Sequence, residues 1–475
     1  MNRKLTRKSY KPKNDNTERK SRNISCIIIS IFAIFAVALI IRLNPIIRTP
    51  EMIRSGFGPF GDTHFYHRTA YNLYKGNGFS ATYDDRAYGL SRENENLTFE
   101  PTAIRGPVYT FFISTIYKLL GNEKDMESPI KWRKNLDKVR IVQCIMDASI
   151  CFFVFFIVRL ICPSSLFPAF LASILYCFCF YSIFFARALL SESITTFILT
   201  CLVFFCLLSL KSTRKLWWLI TGVFLGLVVL SRFEYSLFVP VLTSYIYFVN
   251  RKFPAAALQK CIFLIVGTMI IVSPWTLRNY LVFKKFIPVS AGSLGYNLWQ
   301  GTFETNKVWS RWSDFPDEIF YSEQEKSKII SLDKTFNSQL QQGSMKIIDT
   351  DRIFMRMAFD RILNHPLKCF KNWLTKIPRL WYQFYIQMYT YKEPSGIYFI
   401  FYFLFALYAL FSADRENGIL ILPIVLLFIY LTLVFLPLHV EPRFGVALMP
   451  AIICLTAIGT WKVFHNFLLA KFVKK

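Results

Sequence analysis

Apolar residues occur along this chain in long uninterrupted runs, without the regular polar positions of soluble helices and strands. A run of roughly 20 apolar residues can cross about 30 Å of hydrocarbon as a helix. We predict ten such spans, near residues 24–42, 139–160, 166–186, 193–210, 216–231, 235–250, 260–276, 394–412, 418–436 and 443–464. The predicted fold class is therefore an all-α polytopic membrane protein.

Basic residues in the short connectors orient the predicted spans. Lys and Arg are concentrated on the cytoplasmic side of membrane proteins, and here they occur in the connectors 211–215 and 250–252. With the N-terminus also inside, these assignments agree only if residues 43–138 form one outside loop. The apolar run 107–120 then cannot be a span, and we predict an interfacial helix on the outer surface.

The same pattern divides the chain into four parts. Residues 1–23 are a basic cytoplasmic tail, and residues 24–276 are the main transmembrane module, which includes the outside loop. Residues 277–393 form a second large outside loop, in which apolar residues at helical spacing predict amphipathic helices on the membrane surface. Residues 394–475 contain the C-terminal spans and a basic tail.

Composition agrees with a membrane protein and narrows the choice of partners. The chain has 475 residues, of which 54% are hydrophobic, whereas a soluble domain needs a more polar surface. The net charge of +26 would suit nucleic acid, but the basic residues of 1–22 directly precede an apolar run. Such a tail is typical of an anchor on anionic lipid. We therefore predict membrane lipid, and no nucleic acid, as a partner.

Ionisable residues from separate loops fall on the predicted outer side. They are Asp62, His64, Glu100 and Arg105 in the first loop, then Glu192, Arg232, Glu234, Arg278, Glu441 and Arg443 in the connectors that follow. Charges at membrane depth are costly and usually line a polar cavity. The sequence therefore predicts a charged site at the outer face, within reach of lipid head groups.

Several short sequence phrases occur in a distinctive order. They are Asp62-x-x-x-Tyr66, Arg105-Gly106-Pro107, Leu190-Ser191-Glu192, Leu230-Ser231-Arg232, Pro274-Trp275 with Arg278-Asn279, and His365-Pro366. With these phrases the chain resembles the membrane-embedded glycosyltransferases that use a lipid-phosphate sugar donor. That class includes the protein O-mannosyltransferases and the lipid A aminoarabinose transferase. The resemblance covers most of residues 24–310 and recurs at 360–380 and 437–450.

The resemblance implies an enzyme that moves a hexose or pentose from a polyprenyl-phosphate donor to an acceptor hydroxyl. The acceptor is a lipid, a glycan or a protein on the periplasmic or lumenal face, and the expected location is a bacterial cell membrane. Because the protein mannosyltransferases have an Asp-Glu pair where this chain has Asp62-Thr63, a protein acceptor is disfavoured. A transporter or flippase, or a surface-glycan polymerase or ligase, remains the alternative.

By the same resemblance, Asp62 is the catalytic carboxylate, Glu192 is a second acidic residue of the site, and Glu100 contacts a metal or the donor. An acceptor hydroxyl must lose its proton as it attacks, so a nearby carboxylate is needed.

The leaving lipid phosphate needs cations. Arg105, Arg278 and Arg443 are candidates because guanidinium binds phosphate through paired hydrogen bonds. A divalent metal is the other candidate.

Overall fold

Helices make up most of the part of the chain that the computed structural model describes, which is residues 15–48, 62–81, 100–121, 129–305, 323, 327, 331, 347–381 and 395–473. The helices up to residue 283 are α1 (Asp15–Arg48), α2 (Asp62–Tyr74), α3 (Pro107–Leu120), α4 (Pro129–Ile161), α5 (Phe167–Cys177), α6 (Phe180–Phe185), α7 (Glu192–Lys211), α8 (Leu216–Ser231), α9 (Phe238–Val249) and α10 (Pro254–Phe283). The later ones are α11 (Leu294–Phe303), α12 (Ile347–Asn364), α13 (Pro366–Thr375), α14 (Ile377–Trp381), α15 (Ser395–Phe411), α16 (Arg415–Phe435) and α17 (Met449–Val473).

Short irregular elements join these helices near the candidate site. The strands β1 (Ser80–Ala81) and β2 (Glu100–Pro101) pair antiparallel in the first loop. Two 3-10 helices, Phe233–Tyr235 and Pro442–Leu448, follow α8 and precede α17. Residues 1–14 of the predicted basic tail, and most of 306–346 in the second outside region, lie outside the described residues.

The all-α multi-pass membrane fold predicted from the sequence is confirmed. Among the described residues, six helices are long and apolar enough to cross a membrane: Ile24–Asn44, Asn135–Ile161, Glu192–Lys211, Pro254–Phe283, Arg415–Phe435 and Arg443–Phe467. Shorter apolar helices, Phe167–Cys177, Leu216–Ser231, Phe233–Val249 and Ile400–Phe411, lie at the other predicted spans. That all ten positions cross the bilayer stays a prediction.

The run predicted to lie at the membrane interface forms α3, a helix of 14 residues. At 1.5 Å per residue it is about 21 Å long, which is shorter than a hydrocarbon core of about 30 Å. It packs against α2 and against α8. Its length and packing agree with the predicted helix, and its depth in the membrane stays a prediction.

The predicted span 166–186 is interrupted, because α5 ends at Cys177 and α6 begins at Phe180. The side chain of Arg42 in α1 is fully buried and donates from Nη1 to the carbonyl of Cys177 at 3.2 Å and from Nη2 to that of Tyr176 at 3.4 Å. A cation at the carbonyl end of a helix satisfies the free acceptors and offsets their partial negative charge. The buried guanidinium thus stabilises the end of α5.

The charge of Arg42 is itself balanced by Asp147 of α4. Arg42 Nε donates to Asp147 Oδ1 at 2.6 Å, and Tyr176 donates its hydroxyl proton to Oδ2 at 3.0 Å. A buried ion pair is stable only when its remaining polar atoms are also hydrogen-bonded. This pair meets that condition and joins α1, α4 and α5.

Removing one partner of the Arg42–Asp147 pair should destabilise the protein strongly. We expect Arg42→Leu or Asp147→Leu alone to lower the free energy of unfolding by about 3–5 kcal/mol, because each leaves an uncompensated buried charge. The double variant should regain part of that loss. Thermal unfolding of the purified protein in detergent measures this, and a double variant that loses the full sum of both single losses would contradict it.

Candidate active site

Asp62 occupies the first turn of α2, where the helix N-terminus favours a negative charge. Its Oδ1 accepts a hydrogen bond from Arg105 Nη2 at 2.5 Å, and its Oδ2 accepts one from Arg443 Nη2 at 2.8 Å. Burial by itself raises the pKa of Asp62, but Arg105 and Arg443 outweigh it and hold this pKa below its usual value. Three of the residues predicted from the sequence thus meet.

Arg105 reaches this position because Gly106 follows it. A Cβ on Gly106 would collide with the backbone carbonyl oxygens of Leu230 and Ser231 at the end of α8. Only glycine therefore allows the loop to approach that helix end so closely. Pro107 then starts α3. The first position of a helix suits proline, because a backbone N–H there would have no helical acceptor and proline has none.

Arg443 joins three carboxylates. Besides Asp62, its guanidinium pairs with Glu441 through Nε and lies 3.5 Å from Glu192 Oε1. Glu192 is the first residue of α7 and is buried, and the same Oε1 lies 3.5 Å from Nη1 of Arg232. Glu192 therefore lies in the same cluster of charges as Asp62, Arg105 and Arg443.

The second carboxylate oxygen of Glu192, Oε2, is buried and has no hydrogen-bond partner among the described residues. A buried oxygen of this kind needs a donor, because leaving it unpaired costs free energy. This atom is therefore available to accept a hydrogen bond from a bound hydroxyl.

The segment that leads to Glu192 is held by polar contacts from α3 and α4. Tyr109 donates its hydroxyl proton to Gln143 Oε1 at 2.8 Å, and Gln143 Nε2 donates to the carbonyl of Ala188 at 2.9 Å. The side chains of Tyr109 and Gln143 are both buried. These bonds fix the chain between α6 and α7 and so fix the start of α7.

His439 extends the charged cluster in a way the sequence did not predict. Its Nδ1 lies 2.6 Å from Glu304 Oε1, and its Nε2 lies 3.4 Å from Glu441 Oε1. Both ring nitrogens face carboxylate oxygens, so both must carry a proton, which describes imidazolium. Burial lowers the pKa of His439, but Glu304 and Glu441 outweigh it and raise this pKa to about 9. Burial likewise raises the pKa of Glu441, but Arg443 and His439 hold it well below its usual range.

Glu304 follows α11 in the second outside region and is fully buried. A Cβ on Gly301 of α11 would collide with the carbonyl oxygen of Pro437, so the helix lies directly on the loop that precedes His439. Lys376 donates to the carbonyls of Gly301 and Leu438 at 3.2 and 2.7 Å. Burial lowers the pKa of this lysine to about 8. Lys376 thus fastens α11 to the loop.

The contacts form one chain of alternating charge. In order it runs through Glu304, His439, Glu441, Arg443, Asp62 and Arg105, with Glu192 and Arg232 as a branch at Arg443. Sequence reasoning missed Glu304, His439 and Lys376. For His439 a signal existed, because it lies four residues before Arg443 in the same connector. Glu304 and Lys376 follow amphipathic helices, where a charged residue is unremarkable.

Arg278, the third predicted phosphate-binding arginine, is placed differently. Its Nη1 donates to the carbonyl of Thr102 and its Nη2 to that of Phe79, both at 2.9 Å. Its guanidinium also lies 4.9 Å from the ring centroid of Trp275. The structure therefore does not bring Arg278 into the chain of charges. Here the guanidinium joins α10 to the ends of the two first-loop strands.

Glu100, the predicted metal contact, lies on β2 and is exposed. Among the residues that the structure describes, no three His, Cys, Asp or Glu side chains are grouped so as to hold a metal ion. The described residues therefore do not fit a metal centre at Glu100. Metal dependence stays a prediction.

Residues 104–277 match the family described as dolichyl-phosphate-mannose-protein mannosyltransferase. The resemblance inferred from the sequence phrases is thus confirmed over this part of the chain. It includes Arg105 and Glu192, whereas Asp62 and Arg443 lie outside the matched residues. The comparison with curated proteins gives no match.

The fold is similar to that of the archaeal oligosaccharyltransferase AglB from Archaeoglobus fulgidus, solved in complex with an inhibitory peptide and a dolichol-phosphate. The two chains are 13% identical, with a TM-score of 0.50 over 94% of this chain and 51% of AglB. A structure of the oligosaccharyltransferase of that organism tethered to an acceptor peptide is 14% identical, with a TM-score of 0.49 over 93% of this chain and 50% of that one. ArnT from Cupriavidus metallidurans bound to undecaprenyl phosphate is 11% identical, with a TM-score of 0.38 over 92% and 78% of the two chains. The protein thus shares a fold with AglB and spans about half of its length.

The protonated state of His439 predicts a pH-dependent stability. The pKa in the folded protein, about 9, lies above the usual 6.5, so the stabilisation is fully present below about pH 6.5 and is lost as the pH rises through 9. We expect the Tm of the wild type to fall more steeply than that of His439→Gln between pH ~6.5 and ~9. Thermal unfolding of both proteins across this range is the measurement, and parallel curves would contradict the assignment.

Proposed function

We propose that the protein is a glycosyltransferase that moves a sugar from a polyprenyl-phosphate donor to an acceptor hydroxyl at the outer face of the membrane. The observation that carries the proposal is the Asp62 carboxylate held between Arg105 and Arg443. A candidate base and two candidate phosphate ligands, from distant parts of the chain, thus share one site. The family match over 104–277 supports a lipid-phosphate sugar donor. A transporter is not favoured, because the matches are with transferases.

In the proposed reaction Asp62 takes the proton of the acceptor hydroxyl. The oxygen attacks the anomeric carbon as the bond from that carbon to the donor phosphate oxygen breaks. The polyprenyl phosphate leaves with the bonding electron pair. The transition state has oxocarbenium character, so the negative charges of Asp62 and Glu192 stabilise it.

Arg105 and Arg443 bind the donor phosphate in this proposal. Negative charge increases on the phosphate oxygens as the leaving group departs, and guanidinium N–H groups stabilise such charge most strongly where water is excluded. Arg443 is largely buried. Its other carboxylate contacts, Glu441 and Glu192, keep it directed at the site.

Glu192 has a second role through Oε2, which has no hydrogen-bond partner in the part of the chain that the structure describes. A hydroxyl of the sugar or of the acceptor would donate to this atom and so be oriented toward the reacting centre. We further propose that the sugar is a hexose or pentose, and that the acceptor is a lipid or glycan before a protein, since Asp62 is followed by Thr63. A bacterial cell membrane is the proposed location.

Asp62→Asn should abolish sugar transfer. Asn keeps the shape of the side chain but removes the base, so we expect turnover to fall by roughly a hundredfold or more. Transfer of a labelled sugar from a polyprenyl phosphate in isolated membranes measures this. Asp360→Asn, at an exposed position of α12, is the matched control and should keep full activity. Near-normal turnover in Asp62→Asn would remove Asp62 from the site.

Arg→Lys changes should distinguish paired hydrogen bonds to the phosphate from attraction by positive charge alone. We expect Arg443→Lys or Arg105→Lys to lower kcat/KM about tenfold or more, because lysine keeps the charge but cannot form paired hydrogen bonds. Arg356→Lys, at an exposed site on α12, is the control. Steady-state kinetics with varied donor is the measurement. If Arg278→Lys lowers activity while both other variants keep it, the phosphate is bound elsewhere.

A further inference from the structure

Both oxygens of Asp62 are occupied in the free protein, Oδ1 by Arg105 and Oδ2 by Arg443. A carboxylate that accepts two guanidinium hydrogen bonds is a weak base, because its lone pairs are engaged and its charge is neutralised. The proposed base and the proposed phosphate ligands thus satisfy one another. With both arginines bound to it, Asp62 is not arranged to remove a proton.

We infer that the donor activates the base by exchange: its phosphate takes the guanidinium N–H groups of Arg105 and Arg443 that bind Asp62 in the free protein. This inference rests on the proposed function. It adds that donor binding and release of the Asp62 carboxylate are one event.

The two ends of the charge chain differ in the way that exchange requires. The Arg105 side chain is 29% exposed and that of Asp62 is 14% exposed, so an incoming phosphate can approach them. The Glu304 side chain at the other end is fully buried. A ligand can therefore reach the charged cluster at Asp62 and Arg105 but not at Glu304.

Arg443 can change partner without leaving its place. Its contact with Asp62 uses Nη2, whereas its contacts with Glu441 and Glu192 use Nε. Those two contacts persist when Nη2 donates to a phosphate oxygen. Arg105 lies in the loop that precedes α3, and its side chain is partly exposed. The exchange requires this side chain to turn toward the phosphate.

Exchange also changes the chemistry of Asp62. Once the two cations bind phosphate, the carboxylate has free lone pairs and lies beside new negative charge, and both effects favour proton uptake. The acceptor hydroxyl then supplies that proton. Removal of the proton is thereby confined to the state in which a donor is bound.

If exchange occurs, replacing Asp62 should have opposite effects on donor binding and on sugar transfer. Asp62 competes with the donor for the two arginines, so Asp62→Asn should bind a polyprenyl phosphate more tightly although it transfers no sugar. One charge-assisted hydrogen bond contributes a factor of roughly ten. We expect Asp62→Asn and Asp62→Ala to bind undecaprenyl phosphate about tenfold more tightly than the wild type does.

The experiment measures the Kd of the full chain in detergent, from tryptophan fluorescence, for undecaprenyl phosphate and for undecaprenol. The alcohol reports the lipid tail alone and should bind equally to all variants. Asp360→Asn should match the wild type for both lipids. The Asp62 variants are also placed in an Arg105→Gln background, where one of the two exchanged contacts is missing and the gain should shrink severalfold.

Each outcome separates the inference from the proposed function. If the wild type prefers the phosphate to the alcohol but neither Asp62 variant binds it more tightly, exchange is wrong and phosphate recognition stands. An undiminished gain in the Arg105→Gln background would indicate general charge repulsion and would also overturn exchange. A wild type that binds both lipids equally would overturn the proposed function itself.

Discussion

The candidate site depends on the ion pairs of Arg443, because its guanidinium joins carboxylates from three separate segments. Asp62 begins a helix of the first loop, Glu192 begins α7, and Glu441 precedes Arg443 in the last connector. Without this cation the three carboxylates would keep only separate partners, Arg105, Arg232 and His439, and no shared charge would hold the three segments together. The geometry at Asp62 therefore exists only once residues from both ends of the chain have packed together.

The two ends of this charge network differ in exposure: Glu304 is fully buried, whereas Asp62 and Arg105 are partly exposed. The buried end is where the second outside region packs on the last connector. Gly301 lies against that connector, Lys376 donates to the carbonyl of Gly301, and Glu304 pairs with His439. Asp62 and Arg105 belong to the first loop and are partly exposed. Arg443 is held by Glu441 and Glu192, whereas Arg105 is partly exposed. One firmly held cation beside one exposed cation suits a site that must bind a phosphate and then release it, since equally tight binding at every step would slow turnover.

The sequence was sufficient where a strong physical constraint left few choices. Long apolar runs have few uses other than crossing a membrane, so the all-α multi-pass fold could be predicted. Charged residues beside such runs are few, so Asp62, Arg105, Glu192 and Arg443 could be expected to lie near one another, and the structure places them in contact. Arg278 shows the limit of that reasoning, because a guanidinium can also bind backbone carbonyls, as this one binds those of Thr102 and Phe79. The pairing of Glu304 with His439 joins residues 135 positions apart, and no local pattern indicates such a contact.

The buried Arg42–Asp147 pair has a consequence for how the protein is made. Its partners are separated by 105 residues, so α1 is synthesised and meets the membrane well before the helix that neutralises its arginine. Until then Arg42 lacks its anion, and its long side chain must reach toward water and lipid phosphates at the surface. Only the arrival of α4 lets α1 settle at its final depth. α1 is thus among the helices whose position in the bilayer is completed late in biogenesis.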